Sequence, residues 1–485
     1  MKSKINSLLI VHFASIVMIF EGLFMLLPIG ISMIYHEATM LHLILAFAVT
    51  FGGGLVLFWF TRKHQHGEPD RRESIVIVVI GWFILGFFGT LPYLFTHAIP
   101  HFTNAFFESI SGFTTTGSSI LADIESLPKS ILFWRAETHW IGGMGIIVLV
   151  LAVMPFIQIR GIYLFYSEMS SVSDEKISTK IRRIARNLWL VYTGLTLIEI
   201  LLLWMGKMSL FDSVCHSFAT IATGGFSTKN DSIAGFSPYI QYIITLFMFL
   251  SGINFALHLL TIKGRIKKVL NNEEFRLYLF LIVFVTLAIT LILYNQNYGS
   301  FENVFRQAIF QVVSILTATG FATADYLQWP AQAILLIGFL MLVGASSGST
   351  GGGVKVIRHV ISLKKIRESF RNLISPNTIT VVRYNDEAID QAYISEVMGF
   401  IIMYYFIIAV STLTMMLSGL NPATSFGAVT TCMGGIGPGF GSVGPASNFF
   451  HLPVISKYFL TFLMVVGRLE IYSVLVIFMK WFWRD

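Results

Sequence analysis

Residues 107–119 read FESISGFTTTGSS, a small-residue stretch that contains a terminal Thr-Thr-Thr-Gly and lies between two long apolar runs. The pattern returns three times. Aligned on the last glycine, the four stretches end Thr114-Thr115-Thr116-Gly117, Ala222-Thr223-Gly224-Gly225, Thr317-Ala318-Thr319-Gly320 and Gly434-Gly435-Ile436-Gly437. A small residue also stands six places before each glycine, and an apolar residue stands eleven places before it. The chain after its first two apolar runs is therefore predicted to be a fourfold repeat.

The composition places this repeat in a membrane. The 485 residues are 55% hydrophobic and only 12% charged, with a mean hydropathy of +0.73, whereas soluble globular proteins carry about 25% charged residues. So many apolar runs cannot fit into one aqueous core, and the bilayer must be the solvent for most of the chain. This excludes a soluble enzyme. The net charge of +7 does not indicate nucleic-acid binding, because the basic residues form short clusters between apolar runs.

Ten apolar runs have the length of about 20 residues or more that a membrane-spanning helix needs. They cover 7–35, 39–61, 74–97, 131–157, 186–205, 237–262, 275–295, 329–357, 393–418 and 454–480. We expect the first run to be a span and not a cleaved signal peptide, because it continues past Glu21 and Pro28 without a cleavage site. Four segments are too short to cross and are predicted to be re-entrant, namely 103–117, 211–225, 306–320 and 423–437.

The basic residues predict how the spans are oriented. All but seven of the 33 lysines and arginines lie at the termini or in the loops 62–73, 158–186, 263–276 and 355–383. The positive-inside rule makes that side cytoplasmic, and ten spans return both termini to it. The predicted organisation is two leading spans in 1–73 and four repeat units in 74–183, 184–272, 273–374 and 375–485. We predict an all-α polytopic membrane protein whose last eight spans form four span, pore-loop, span repeats around one pseudo-fourfold pore.

The glycine-ended stretches have the composition of a cation pathway. Irregular backbone at membrane depth is tolerated only inside protein or beside a watery cavity. Glycine permits backbone angles that aim carbonyls inward, and rings of carbonyl oxygens can replace the hydration shell of potassium. The predicted ion-binding residues are Thr115, Thr116, Gly117, Thr223, Gly224, Gly225, Ala318, Thr319, Gly320, Gly435, Ile436 and Gly437, with the threonines holding the backbone by side-chain hydrogen bonds. The plainer interpretation, that small residues only pack the spans together, does not account for four occurrences on one membrane face.

The run 329–357 is interrupted by GASSGSTGGG at residues 344–353. Glycine costs about 1 kcal/mol relative to alanine at each helical position, so we expect this stretch to unwind inside the membrane. It does not fit a phosphate-binding loop, because Lys355 follows Val354 and not the last glycine, and no strand precedes it. The plainer interpretation is a flexible break that only permits packing.

Arg468 lies in the middle of the run 454–480. A lone charge there costs about 2.5–3.5 kcal/mol on insertion scales, so it needs a cavity, water or a partner. Glu470 is close in sequence, but residues two apart on a helix face different ways. The sequence is compatible with two interpretations of Arg468, a structural salt bridge and a functional charge.

Other polar residues recur in or near the spans. Glu108, His216 and Gln311 occupy one repeat position, nine before the glycine, and the fourth unit has Ala428 there. These polar side chains are predicted to bind, from behind, the backbone of the ion-binding residues, which we call the filter. His139, Glu137 and His258 are candidates for a proton relay, although such residues are more often satisfied by packing.

The chain resembles the Trk-type potassium uptake proteins of the bacterial TrkH/TrkG family, which are relatives of the Ktr and plant HKT transporters. The resemblance covers nearly the whole chain. It is carried by Thr115-Thr116-Gly117, Gly224-Gly225-Phe226-Ser227-Thr228, Thr319-Gly320-Phe321, Gly437-Pro438-Gly439, Gly348-Ser349-Thr350-Gly351-Gly352-Gly353 with Lys355, and Gly467-Arg468-Leu469-Glu470.

The resemblance implies a gated, potassium-selective pore in the bacterial inner membrane, with a short filter that admits some sodium. In plant relatives a serine at the first filter glycine goes with sodium preference, and here all four positions are glycine. The fourth segment departs most, because Gly435 and Ile436 stand where threonine stands elsewhere. The resemblance makes 344–353 the intramembrane loop that obstructs the pore below the filter and places the Arg468 charge in the pore there. The implied gate residues are Gly344, Gly348, Ser349, Thr350, Gly351, Gly352, Gly353 and Arg468.

The same resemblance implies partners. They are a second copy of the chain, membrane lipid, and a cytosolic TrkA-type ring of nucleotide-binding domains that controls the gate. The chain itself is predicted to bind no cofactor, only the transported potassium ion, and no nucleic acid. The alternative is a secondary transporter that couples potassium to protons or sodium. An intramembrane enzyme would need paired aspartates, a Ser/His dyad or a His-Glu-x-x-His site at membrane depth, and the sequence shows none.

Overall fold

The computed structural model describes residues 5–62, 69–153, 177–376 and 380–483. These ranges are mostly helical. The exception to the all-α prediction within them is one antiparallel pair of two-residue strands, Arg383–Tyr384 with Glu387–Ala388. The pair closes a hairpin between two helices and forms no larger sheet.

Six helices in the described ranges are long and apolar enough to cross a bilayer. They are Ser7–Ile34, Met40–Thr61, Arg71–Phe95, Arg183–Met205, Glu273–Asn295 and Gln391–Leu417. Each coincides with a predicted apolar run. The first is interrupted at Met25, which separates Ser7–Phe24 from Leu26–Ile34, and the third is interrupted between Arg71–Phe88 and Leu91–Phe95. The helix of the fourth extends from Ile177 to Met205.

Three predicted spans are not continuous helices. The run 237–262 is a bent pair, Pro238–Ser251 and Phe255–Ile262, that turns by 100°. The run 454–480 bends by 115° after Val454–Arg468, where Glu470 and Ile471 have φ values of 56° and 30°. The run 329–357 contains a short helix, Ala331–Met341, followed by the non-helical stretch before Val356.

The run 131–157 corresponds to the helix Lys129–Val153, and its predicted end lies outside the described residues. If each bent pair counts as one span, the described part holds up to eight spans by length and composition. Apart from the four short helices described next, the other α-helices in the described ranges are Ile266–Asn271, Val356–Ile374, Tyr472–Leu475 and Lys480–Trp483. Three 3-10 helices are Tyr326–Gln328, Gly441–Val443 and Val476–Phe478.

Four short helices precede the glycine-ended stretches, and we call them half-helices 1 to 4. They are Phe102–Phe113, Leu210–Ile221, Phe301–Leu316 and Pro422–Gly434. The last three begin at side-chain caps, because Ser209, Ser300 and Asn421 each accept a hydrogen bond from a backbone N–H in the first turn. All four end next to glycine segments 1 to 4, which we define as residues 114–117, 222–225, 317–320 and 434–437.

Two large hydrophobic cores hold the half-helices. One joins units 1 and 4 with the leading helices and includes Phe107 and Val429. The other joins units 2 and 3 and includes Ile244 and Phe310. Unit 4 also reaches unit 1 through Lys457, whose Nζ donates to Asn104 Oδ1 over 2.8 Å. The last repeat unit therefore packs against the first one.

Candidate functional site

The four glycine segments share one backbone conformation. The residue two places before the last glycine is left-handed in every segment, with φ of 53° at Thr115, 54° at Thr223, 58° at Ala318 and 66° at Gly435. The last glycines are left-handed as well, with φ of 78° at Gly117, 78° at Gly225, 86° at Gly320 and 95° at Gly437. A left-handed non-glycine residue costs about 1–2 kcal/mol. Its recurrence at three non-glycine positions shows that the surroundings impose this backbone.

Each last glycine lies against the next segment. A Cβ atom on Gly117 would overlap the carbonyl oxygen of Gly224, and the same holds for Gly225 with Thr319 and for Gly320 with Ile436. A Cβ atom on Gly437 would lie 3.2 Å from the carbonyl oxygen of Thr116. The contacts thus run from segment 1 to 2, 3 and 4 and back to 1. They form a closed ring of carbonyl-bearing backbone in which side chains at the first three glycines do not fit.

The ring faces a cavity of about 140 Å³, and all four last glycines line it. Ser118, Phe226 and Pro438, each directly after its glycine, line it too. The carboxyl ends of the half-helices adjoin the ring, so the partial negative charge of their dipoles favours a cation there. In the described ranges no group of three His, Cys, Asp or Glu side chains could hold a metal ion. The oxygen atoms available to a cation at the ring are backbone carbonyls.

The rim of the cavity joins units 1 and 2. Asn230 accepts a hydrogen bond from the Ile124 N–H over 2.7 Å and donates to Asp123 Oδ1 over 3.1 Å. Lys229 Nζ lies 3.3 Å from Glu125 Oε2. The hydrogen bond from Asn230 lowers the pKa of the Asp123 carboxyl. Two carboxylates, Asp123 and Glu125, and one ammonium group, Lys229, therefore stand at the mouth of the cavity.

The predicted threonine supports are present in part. Thr116 bonds Thr114 and Thr319 bonds Thr317, both over 2.8 Å between hydroxyl oxygens. Thr223 donates to the carbonyl of Ala222 over 2.6 Å. In the fourth segment the backbone keeps the common conformation without a threonine. Gly435 is left-handed like its counterparts, and Ile436 is buried.

The side chains nine positions before the last glycine bind the chain after the glycine segments and not the segments themselves. Glu108 accepts from the N–H of Ile120 over 2.9 Å. His216 Nε2 lies 3.0 Å from the Ser227 hydroxyl, and Gln311 Nε2 donates to the carbonyl of Ala324 over 3.1 Å. The prediction that these side chains bind the backbone of the glycine segments was wrong. The residues they bind come two to four positions after the last glycine. A polar side chain within the half-helix reaches the residues that follow the glycine segment, because the segment itself lies beyond the end of the half-helix.

The glycine-rich stretch 344–353 lies directly against the ring. Gly344, Gly348 and Gly353 have φ of 91°, 65° and 74°, so the stretch is unwound as predicted. A Cβ atom on Gly352 would overlap the carbonyl oxygen of Gly434, and one on Gly351 would lie 2.6 Å from that of Thr317. Both carbonyls belong to the first residues of glycine segments, so the stretch packs against the ends of the segments opposite the cavity.

Side chains fix the stretch to other units. Thr350 donates to the carbonyl of Ile221 over 2.9 Å. Ser349 donates to the carbonyl of Ser346 over 2.6 Å, within the stretch. Lys355 Nζ donates to the carbonyl of Gly351.

Arg468 binds the stretch from the opposite side. Its Nη1 donates to the carbonyl of Thr350 over 2.8 Å, and its Nη2 donates to the carbonyl of Gly142 over 3.1 Å. Among the described residues Arg468 has no salt bridge, and Glu470 pairs instead with Arg358 over 2.6 Å. In these ranges the hydrogen-bond partners of Arg468 are carbonyl oxygens, and its positive charge lies at the loop beneath the ring.

Glu274 is a site residue that sequence reasoning missed. It is buried at the start of the helix Glu273–Asn295. Its carboxylate accepts from the Ser347 N–H over 2.6 Å, the Ser347 hydroxyl over 2.9 Å and the Ile357 N–H over 3.1 Å. One side chain thus joins the unwound stretch, at Ser347, to the first turn of the helix that follows it, at Ile357. No local signal distinguishes it from an acidic residue in the first turn of any helix.

The proton-relay candidates have separate surroundings. His139 Nδ1 lies 2.8 Å from the Gly112 carbonyl and must donate, while its Nε2 accepts from the Phe226 N–H over 3.3 Å. His258 Nε2 donates to the carbonyl of Leu250 over 2.9 Å. Glu137 is buried, and its oxygens have no hydrogen-bond partner among the described residues. The structure therefore brings none of the three together through a hydrogen bond in its described ranges.

The family model of the cation transport protein TrkH matches residues 38–484. The chain belongs to the TrkH family. This confirms the family predicted from the motifs, and with it a polytopic helical membrane fold and a cation transport protein.

The chain is similar to members of this family along nearly its whole length. The Trk system potassium uptake protein TrkH of Escherichia coli K12 is 38% identical over 476 residues, which cover 97% of this chain and 98% of that protein. The Trk system potassium uptake protein TrkG of the same strain is 30% identical over 482 residues, with 98% of each chain covered. The crystal structure of the potassium transporter TrkH from Vibrio parahaemolyticus superposes with a TM-score of 0.89 at 32% identity and covers 98% of this chain and 99% of its own.

Proposed function

We propose that the chain is the potassium-translocating membrane subunit of a Trk-type uptake system in the bacterial inner membrane. The observation that carries the proposal is the closed ring in which each last glycine abuts a carbonyl of the next segment. We propose that ten spans cross the membrane, with both termini cytoplasmic, and that the last eight form four units around one pore. The order of the ring contacts, 1 to 2 to 3 to 4 to 1, supports this layout.

Potassium is the proposed ion because backbone carbonyls are the ligands that replace its hydration shell. The names of the relatives support the same ion. The filter is one glycine long in each unit, so few layers of oxygen contact the ion. We expect potassium to be preferred and sodium to be partly admitted.

The gate we propose is the stretch 344–353 together with Arg468. An ion that leaves the ring on the side opposite the cavity meets Gly351 and Gly352 directly. The Arg468 guanidinium holds this loop by the Thr350 carbonyl and opposes a cation by its charge. Conduction requires the loop to move away, and the membrane potential then drives potassium inward.

Control by a cytosolic partner is the proposed trigger. The helix Val356–Ile374 continues directly from the gate stretch and carries exposed basic and apolar residues. A TrkA-type ring of nucleotide-binding domains that holds this helix would transmit its movement to the loop. We also propose that the subunit acts as a homodimer in lipid and that it binds no cofactor of its own.

Coupled transport of potassium with protons is the second candidate. The buried Glu137 carboxyl favours it, because neither oxygen has a partner in the described ranges. His139 argues against a relay, because both ring nitrogens are occupied by backbone groups. A pH gradient that changes the driving force for potassium would favour the coupled transporter.

The experiment is tracer uptake into liposomes that hold the purified protein and its partner. Potassium flux should follow the imposed membrane potential, and Gly320→Ala should abolish it, because its Cβ atom would overlap the Ile436 carbonyl. Gly435→Ala is the matched control, since the nearest atom to its Cβ is 3.9 Å away. Equal fluxes in both variants would contradict the proposed filter.

A further inference from the structure

A buried ion pair lies behind the junction of glycine segments 1 and 2. Glu108 in half-helix 1 and Arg135 in the helix Lys129–Val153 are 0% and 1% exposed, with Nη2 of the arginine 2.8 Å from Oε1 of the glutamate. Arg135 Nε donates to the same oxygen over 2.9 Å. A buried pair of this kind persists when further hydrogen bonds satisfy both groups.

Those hydrogen bonds reach both units. Glu108 accepts from the Ser119 hydroxyl over 2.9 Å, just after segment 1. Arg135 Nη1 donates to the carbonyl of Ser227 over 3.2 Å, just after segment 2. The pair therefore ties together the two strands that leave the ring at this junction.

Phe226, the residue after Gly225, is held on both sides. The Arg135 guanidinium lies 4.1 Å from the centre of its ring, and the His139 imidazole lies 4.1 Å away, centroid to centroid. His139 also accepts from the Phe226 N–H. The backbone that follows Gly225 is thus fixed by a charge, a stacked ring and a hydrogen bond from one helix of unit 1.

The other units carry no charge at the position of Glu108. The His216 imidazole and the Gln311 amide are neutral, and each has one hydrogen bond with the residues that follow its glycine segment. Ala428 has no polar side chain. Charge-assisted hydrogen bonds are about twice as strong as neutral ones. At this repeat position the junction of segments 1 and 2 is therefore held by stronger hydrogen bonds than its counterparts.

We propose that the Glu108–Arg135 pair is a positioning group that sets ion selectivity, because it holds segments 1 and 2 at a fixed separation. This inference rests on the proposed function of the ring as a potassium filter. A carbonyl ring that closes freely around a smaller ion loses its preference for potassium. Without the pair, the carbonyls of Thr116 and Gly224 can approach one another and accept sodium.

The test is the potassium-to-sodium permeability ratio, measured from reversal potentials of the complete protein with its partner in a bilayer. The variant is Glu108→Gln with Arg135→Gln, which removes both charges together. The ratio should fall by about fivefold or more while potassium current persists. Glu302→Gln is the matched control, because it breaks a Glu–Arg pair of half-helix 3 whose glutamate is 56% exposed. Its ratio should stay at the wild-type value.

An unchanged ratio in the double variant would overturn the proposal, and so would loss of all current at a wild-type melting temperature. If the double variant does not assemble, Glu108→Asp provides the same readout, because it keeps both charges but draws the carboxylate back by one methylene and so weakens its contact with Arg135. An unchanged ratio in a folded Glu108→Asp protein that has lost the Ser119 contact would also overturn it. A wild-type protein that carries no potassium current would instead refute the proposed function, which separates the two failures.

Discussion

Replacing Glu274 by glutamine tests whether the stretch 344–353 is a gate held shut by hydrogen bonds. The wild-type carboxylate accepts three hydrogen bonds, two from Ser347 within the stretch and one from Ile357 at the start of the helix that follows it. Hydrogen bonds to charged groups contribute about 1.5–3 kcal/mol each, against about 0.5–1.5 kcal/mol for neutral ones. Glutamine keeps an acceptor for the two N–H groups and loses the charge.

The difference is about 1 kcal/mol for each of the two N–H bonds, or about 2 kcal/mol in all. If the loop leaves Glu274 on opening, this destabilises only the closed state and raises the open-to-closed ratio roughly 30-fold. The assay is single-channel recording of the protein in a bilayer without its cytosolic partner.

Glu273→Gln is the control, because that neighbouring carboxylate contacts Lys364 and not the stretch. Its open probability should change much less than that of Glu274→Gln. An open probability that is unchanged or lower in Glu274→Gln, in a protein that still folds, would refute the gate mechanism. Equal increases in the two variants would show a general effect of charge and not the loss of the Glu274 hydrogen bonds.

Three further predictions follow from named contacts. Gly435→Ala should retain potassium transport with a loss of about 1–2 kcal/mol in stability from its left-handed backbone, whereas Gly320→Ala should abolish transport, as measured by tracer uptake and thermal unfolding. Arg468→Gln should raise the open probability and the inward current in single-channel recordings, because it removes the positive charge beneath the ring. Lys229→Gln should leave Glu125 unpaired at the cavity mouth and raise the current roughly twofold at low salt, with no effect near 1 M salt, where screening is nearly complete.

Each of these predictions has an outcome that contradicts it. Loss of transport in Gly435→Ala would show that glycine is needed there for more than its φ angle. A lower current in Arg468→Gln would make the arginine a structural support. An increase in Lys229→Gln that persists at high salt would rule out an electrostatic cause.

The repeat made the ring of glycine segments predictable. Four glycine-ended stretches on one face of the membrane led to the twelve proposed ring residues, and the structure brings all four stretches together. The break at 344–353 was predictable as well, because glycine disfavours a helix so strongly. The left-handed backbone at Thr115, Thr223 and Ala318 was not, because those residue types do not ordinarily adopt it and the neighbouring segments impose it.

Long-range partners were also beyond the sequence. Glu274 meets Ser347 across 73 positions, so no local pattern connects them. Arg135 carries a signal in the sequence, because it is one of the seven basic residues that lie outside the termini and the basic loops. The bend after Arg468 depends on positive φ at Glu470 and Ile471, which no residue type in that stretch favours.

We propose that the ring conducts potassium down its electrochemical gradient without coupling to protons. The direct measurement is the reversal potential of the purified protein with its cytosolic partner, in a bilayer with a fixed potassium gradient and two opposite pH gradients. We predict a reversal potential that follows the potassium gradient and stays the same when the pH gradient is inverted. A reversal potential that moves with the pH gradient would contradict it and would make Glu137 the first residue to change.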